Sequence, residues 1–213
     1  MGRSQTNCRI CLKLGAEGVS QGQADLLGAV LEQGAVACVL LTSSPASAGN
    51  AGALKRLVEL VQAQNIAALI VDDAELARVV RADGVHIGAG VEPVAAYRAA
   101  RDVLGERAIV GIDVGLSRHM AMSLGEAGAD YVAFSLAGGD GDADDLLDQV
   151  AWWAEIFEVP CVVAGVATEE AAQTFAVAGA DFVIVDLAAD APVDQALGRI
   201  AAVRRGIGAV EVA

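Results

Sequence analysis

The sequence predicts an α/β fold, a (β/α)8 barrel of the TIM type built as a single domain over residues 1–213, and three observations carry that expectation. First, the stretches Arg81-Ala82-Asp83-Gly84-Val85-His86-Ile87, Gly128-Ala129-Asp130-Tyr131-Val132-Ala133-Phe134 and Gly179-Ala180-Asp181-Phe182-Val183-Ile184-Val185 share one pattern of helix end, turn and buried strand. They recur about every 50 residues, enough for two β-α units per repeat, with a weaker copy at Gly34-Ala35-Val36-Ala37-Cys38-Val39. Second, the strand-like segments are short and apolar throughout, as strands covered on both faces must be. Third, 213 residues with 55% hydrophobic content can bury a large core, and no linker-like stretch divides them.

Taken in order, the elements alternate strictly. A strand at Arg9 to Leu14 precedes a helix at Gln21 to Gln33; Val36 to Thr42 precedes Ala51 to Gln64; Ala67 to Val71 precedes Ala74 to Arg81; Gly84 to Ile87 precedes Pro93 to Leu104. The second half repeats the scheme: Ala108 to Ile112 and Ser117 to Ala127, Tyr131 to Ser135 and Asp144 to Phe157, Cys161 to Ala164 and Thr168 to Ala178, Phe182 to Val185 and Val193 to Arg205. Ser117 and Thr168 are N-cap residues, and Glu169 and Glu170 place negative charge in the first turn after Thr168. Gly128 and Gly179 end their helices by accepting positive φ.

A net charge of −14 argues against nucleic acid and anionic membranes as partners. The polar start of the chain and the lack of an apolar run of about 18 residues give no signal peptide or membrane span, so the expected location is cytoplasmic. Cys8, Cys11, Cys38 and Cys161 lie in apolar strand-like runs as reduced core thiols; an extended strand sends Cys8 and Cys11 to opposite faces. The cations Lys55, Arg56, Arg78, Arg81, Arg98, Arg101, Arg199, Arg204 and Arg205 fall in helices and are read as solvated outer surface.

In such a barrel the chemistry sits at the carboxyl ends of the strands. This sequence puts there Lys13, then Thr42 with Ser43 and Ser44, Asp72 with Asp73, His86 with Gly88, Asp113, Ser135, Gly165 and Asp186. Each has a plain reading beside a chemical one. Asp72 and Asp73 are a candidate cation site or a helix cap. His86 is a hydrogen-bonded barrel residue or a base, and Asp113 is a candidate general base. Lys13 either pairs with Asp113 across the mouth or binds an anion. The Gly138 to Asp145 loop is a solvated acidic loop in preference to a calcium loop, and Trp152 and Trp153 serve packing or a contact between copies.

The run Leu69-Ile70-Val71-Asp72, followed by Ala82-Asp83-Gly84-Val85-His86-Ile87-Gly88, resembles the thiamine phosphate synthase signature, whose family includes a thiazole tautomerase branch. Ile109-Val110-Gly111-Ile112, Gly128-Ala129-Asp130-Tyr131-Val132, Val159-Pro160-Cys161-Val162-Val163-Ala164-Gly165 and the last repeat are similar to its later strands, so the resemblance spans Val36 to Arg205. It implies a transferase that joins a pyrimidine diphosphate to a thiazole phosphate with magnesium.

Measured against that resemblance, Asp72 is retained as a magnesium ligand, whereas Val71 replaces an Asn and Val91, next to Glu92, replaces a second Asp. Thr42, Ser43 and Ser44 stand where the family has a basic set for diphosphate. Asp113-Val114-Gly115 replaces a Ser-Thr-His group, the acidic Gly138 to Asp145 stretch replaces a Lys-bearing loop, Ala164-Gly165-Val166 replaces a Gly-Gly pair, and Asp186-Leu187 replaces a Ser-rich turn. The tautomerase histidine falls on Leu136. The expectation is a divergent synthase-like barrel with an impaired or altered phosphate and magnesium site. The alternatives are an active synthase or a non-catalytic barrel that binds a small molecule or a protein. Its ligand is expected at the carboxyl face of the barrel, and self-association is left open.

Overall fold

The computed structural model describes residues 8–16, 20–42, 51–90, 92–139 and 141–210. Its elements run β1 (Arg9–Gly15), α1 (Gln21–Leu31), β2 (Val36–Thr42), α2 (Ala51–Gln62), β3 (Ala67–Val71), α3 (Ala74–Val80), β4 (Gly84–Ile87) and α4 (Pro93–Leu104). They continue through β5 (Ile109–Asp113), α5 (Arg118–Glu126), β6 (Tyr131–Phe134), α6 (Ala143–Ile156), β7 (Cys161–Val163), α7 (Glu169–Val177), β8 (Phe182–Leu187) and α8 (Val193–Gly208). The strands close in sequence order, with β8 pairing in parallel to β1, so the (β/α)8 barrel expected from the repeats is the fold observed.

Alternation along each strand divides its side chains between two cores. Ile10, Leu12 and Leu14 of β1 pack outward against the helices, while Cys11 points to the barrel axis and meets Leu40, Leu69, Ala133, Val162 and Ile184. These six residues form an apolar plug. Two positions further along the same inward face come Lys13, Thr42, Val71, Ser135, Ala164 and Asp186, so the plug sets the floor of the mouth.

The aspartate of each repeat has a mechanical task. Asp83 accepts a hydrogen bond from the Ala68 amide at 2.8 Å, Asp130 from the Val110 amide at 2.7 Å, and Asp181 from the Cys161 amide at 2.8 Å. In each case the aspartate's own amide donates back to the carbonyl of the same residue. The loop entering one strand thereby clamps an amide at the start of the strand before it. In the weaker copy Val36 occupies the aspartate position, and there the β1–β2 register shifts between Ile10 and Cys11.

Helix ends follow their capping chemistry. Ser117 and Thr168 are caps and lie outside their helices, accepting from the Met120 and Ala171 amides at 3.3 and 3.1 Å. Gly128 and Gly179 take φ of 91° and 99°, and Arg81 fills the same place in the first copy at φ 59° without being glycine. In the acidic loop, Asp142 caps α6 and shares a reciprocal capping box with Asp145. These carboxylates serve the helix start. Trp153 is fully buried, stacked on Phe157 at 4.0 Å with its indole donating to the Val159 carbonyl, and Trp152 lies under Arg118, so both are packing residues of the α6 layer.

Arg199 is exposed, as expected, whereas Arg101 departs from the solvated-surface expectation. Arg101 is 12% exposed and pairs with Asp130 while its Nε donates to the Tyr97 hydroxyl. Arg199 donates to the Asp186 carbonyl at 2.9 Å and lines a depression after β8. The Arg101 side chain runs back along its helix to the strand starts, donating to the Ala108 carbonyl at 2.6 Å.

Candidate functional site

The mouth is built from residues that follow the plug by two. On β1 and β8, Lys13 and Asp186 are register partners, and their charged atoms lie 3.2 Å apart. Of the two readings of Lys13, pairing with Asp113 or binding an anion, the first is corrected: the ion pair it forms is with Asp186, because barrel closure sets those two strands side by side.

Asp113 ends β5 and is 6% exposed, accepting from the Gly115 amide at 2.8 Å. Burial raises its carboxyl above the ordinary range, against the lowering pull of the Gly115 amide, the Ser135 hydroxyl, and Lys13. Ser135, after β6, is buried and also accepts from the Ala137 amide at 3.3 Å. A carboxylate raised by burial, one hydroxyl and one lysine therefore face a common space.

His86 of β4 is 5% exposed and its Nδ1 lies 2.8 Å from the Tyr131 hydroxyl, with the rings stacked at 5.9 Å. Burial, with help from the Lys13 charge, pushes its pKa down to about 4, so the imidazole is neutral at pH 7. Gly111 makes this pairing feasible: a Cβ there would sit 1.9 Å from the Tyr131 ring. The glycine of β5 opens the floor for an aromatic ring that runs across from β6.

Asp72 follows β3 directly with φ 60°, a left-handed conformation that costs a non-glycine residue roughly 1 kcal/mol. Its amide donates to the His86 carbonyl at 2.9 Å and its Oδ1 accepts from the Gly88 amide at 2.7 Å. The two loops are thus tied together by one residue whose carboxylate is turned to the mouth side of Gly88. Asp73 has the plain role, capping α3 by accepting from the Leu76 amide at 2.8 Å. Among the described residues no group of three or more His, Cys, Asp or Glu side chains gathers as a cation site.

Thr42 donates toward the Leu14 carbonyl at 3.5 Å, and Gly165 takes φ 80° after β7 with open space where a Cβ would go. Ser43, Ser44 and Val91 lie outside the described residues. Beside this rim a cavity of about 560 Å³ opens among the loops after β4, β5 and β6, lined by Gly90, Pro93, Leu116, Met120 and Ser135. That is the size of a small-molecule site. A second depression, of about 280 Å³, lies after β8 and carries Asp190 and Arg199. Sequence reasoning missed the contact of Arg199; its place about two turns into the last helix gave no sign that it reaches the Asp186 carbonyl.

A closed parallel barrel with buried and paired charges collected at the carboxyl rim, beside a cavity of metabolite size, defines a small-molecule-binding (β/α)8 protein. Among the described residues no helix is long and apolar enough to cross a membrane. The profile of the family described as thiamine monophosphate synthase matches residues 13–188. The thiamine-phosphate synthase of Rhodospirillum centenum is 40% identical over 188 residues, covering 84% of this chain and 88% of that protein. That of Erythrobacter litoralis is 41% identical over 140 residues, 61% of this chain and 64% of that protein. The solved thiamine phosphate pyrophosphorylase of Pyrococcus furiosus superposes with a TM-score of 0.73 at 18% identity, covering 96% of this chain and 98% of that one, a likeness of fold. The chain belongs to the thiamine phosphate synthase family, transferases of thiamine biosynthesis.

Proposed function

We propose that the chain is an active thiamine phosphate synthase, joining a pyrimidine diphosphate to a thiazole phosphate and releasing diphosphate. The observation that carries this reading is the 40% identity to the Rhodospirillum centenum synthase, sustained across 84% of the chain. It outweighs the impairment read from lost phosphate-binding side chains, because Asp186, a mouth carboxylate that alone would repel phosphate, has Lys13 as its partner.

The reaction separates a highly anionic leaving group from a carbon that becomes electron-poor, so the site must hold anions at one place and positive charge at another. Lys13 is the mobile cation, exchanging Asp186 for a substrate phosphate. Thr42, Ser135 and the Gly165 amide supply neutral donors. Asp113, buried and turned to the same space, faces the positive charge that develops on the pyrimidine side. His86, neutral and bound to Tyr131, positions the floor. Asp72 fits magnesium as a single carboxylate ligand at a loop end, since that ion keeps waters and takes substrate oxygens for its other positions. When bound there, magnesium supplies charge neutralisation of the departing diphosphate.

Diphosphate release and product formation from the two substrates test the reading directly: turnover that requires magnesium is expected. A second reading, a barrel repurposed for another small ligand, is favoured by the three mouth carboxylates Asp72, Asp113 and Asp186. It predicts no turnover and no rise in thermal midpoint with millimolar amounts of either substrate, a result that would remove the synthase reading.

A further inference from the structure

At the end of the barrel opposite the mouth, a second cavity of about 170 Å³ lies among the first residues of the strands. Its walls are apolar apart from Arg9, Tyr131 and two thiols, Cys11 and Cys38. The thiols are brought together by the β1–β2 register shift, which makes Cys11 and Cys38 direct partners on adjacent parallel strands and turns both inward. They face one another across the β1–β2 pairing, and neither is in a disulfide. Cys38 is partly exposed, so the pair has a path to solvent.

We propose that Cys11 and Cys38 form a two-coordinate site for a monovalent soft cation, copper(I), at the amino-terminal end of the barrel. Three physical arguments converge on that class of ligand. The donors are two sulfurs, which select soft ions. The cavity wall holds no histidine, methionine or carboxylate, so zinc, which takes four ligands in protein sites, has no way to complete its shell, whereas linear two-sulfur coordination satisfies copper(I). The span also fits. Adjacent strands lie roughly 4.8 Å apart, and two metal–sulfur bonds of about 2.3 Å each reach across that spacing.

Charge closes the argument. Binding displaces one proton from each thiol, two in all, and leaves a bis-thiolate copper(I) unit with one negative charge. The Arg9 guanidinium stands at the cavity rim, over the Phe182 ring at 4.6 Å, where it offsets that charge. Cys8 and Cys161 pack on the other face of the sheet, among the helices, and take no part.

The test is titration of the reduced chain with copper(I) in the presence of a competing chromophoric chelator. One ion per chain is expected, with release of two protons seen as a buffer-dependent binding heat. Cys11→Ala and Cys38→Ala should each weaken binding by more than the roughly hundredfold that loss of an outer-shell partner costs, while Cys8→Ala with Cys161→Ala should leave it unchanged. Wild-type affinity in the Cys11→Ala, Cys38→Ala double variant, or loss of binding in the Cys8→Ala, Cys161→Ala variant, overturns the proposal. Should the cavity variants fail to fold, X-ray absorption of copper-loaded wild-type protein decides: two sulfur neighbours support the site, and any nitrogen, oxygen or third sulfur in the shell refutes it.

Discussion

The Lys13 ammonium lies 3.2 Å from the Asp186 carboxylate, the two being register partners across the closing seam of the barrel. This contact changes what Asp186 means for an anionic substrate. Alone at the mouth it repels phosphate; paired, it holds a lysine that a phosphate must win from it. Asp186→Asn should therefore strengthen phosphate binding, lowering KM for the phosphate substrates by about three- to tenfold, a charge effect reduced by the half-exposed setting. Lys13→Ala should raise the same KM. Thermal midpoints should barely move, because an exposed ion pair contributes about 1 kcal/mol or less. A higher KM in Asp186→Asn would mean that the carboxylate orients Lys13 for binding instead of competing for it.

The three clamp aspartates should matter to folding and not to chemistry. Asp83→Ala, Asp130→Ala and Asp181→Ala each strip an acceptor from a strand amide, at a cost of roughly 1–3 kcal/mol. Asp130→Ala should cost the most, because it also leaves Arg101, 12% exposed, without its carboxylate. Urea unfolding measures this, and losses below about 0.5 kcal/mol at all three sites would show the clamps to be incidental.

His86 gives the fold a definite pH dependence. Its folded pKa is about 4 against 6.5 in the open chain, so below pH 6.5 the unfolded state binds the proton that the folded state refuses. Stability from this residue is complete above pH 6.5 and is lost as the pH falls towards 4, by about 3 kcal/mol in all. Asp113 acts in the opposite sense, since a carboxyl raised by burial takes its proton more readily in the folded chain. Comparing wild type with His86→Gln isolates the histidine, as Asp113 is common to both. The wild-type stability should fall more steeply between pH 6.5 and 4; parallel curves would mean that His86 charges without leaving its place.

The barrel was legible in the sequence because its strands are buried on both faces, which forces continuous apolar runs such as Val36 to Leu41, and because its turns repeat. Arg81 shows how far that went: the pattern located the turn even though the residue in the left-handed position is not glycine. The mouth residues were placed at the strand ends by the same logic. What the sequence concealed were partnerships across the closed sheet. Lys13 meets Asp186 only because β8 returns to β1, and Cys11 meets Cys38 only because the β1–β2 register shifts by one residue. Arg101 read as helix surface since helical periodicity says which face a residue lies on, not how far a long side chain travels along it.

Asp72 allows backbone strain and carboxylate chemistry to be separated. Its φ of 60° suits asparagine and glycine better than alanine, and its Oδ1 bond to the Gly88 amide needs only a neutral acceptor. Asp72→Asn should keep that bond, the left-handed turn and the stability of the fold, while removing the charge on which a magnesium ion depends. Asp72→Gly should relax the backbone but lose the tie to Gly88, and Asp72→Ala should lose the tie and keep the strain, making it the least stable of the three by about 1 kcal/mol relative to glycine. If Asp72 holds the metal, all three variants lose magnesium-dependent turnover alike, by roughly a hundredfold, irrespective of their order in stability. If instead Asp72 serves only to shape the two loops, Asp72→Asn retains activity and turnover follows stability across the series. Magnesium titration of each folded variant, set beside its thermal midpoint, distinguishes the two outcomes.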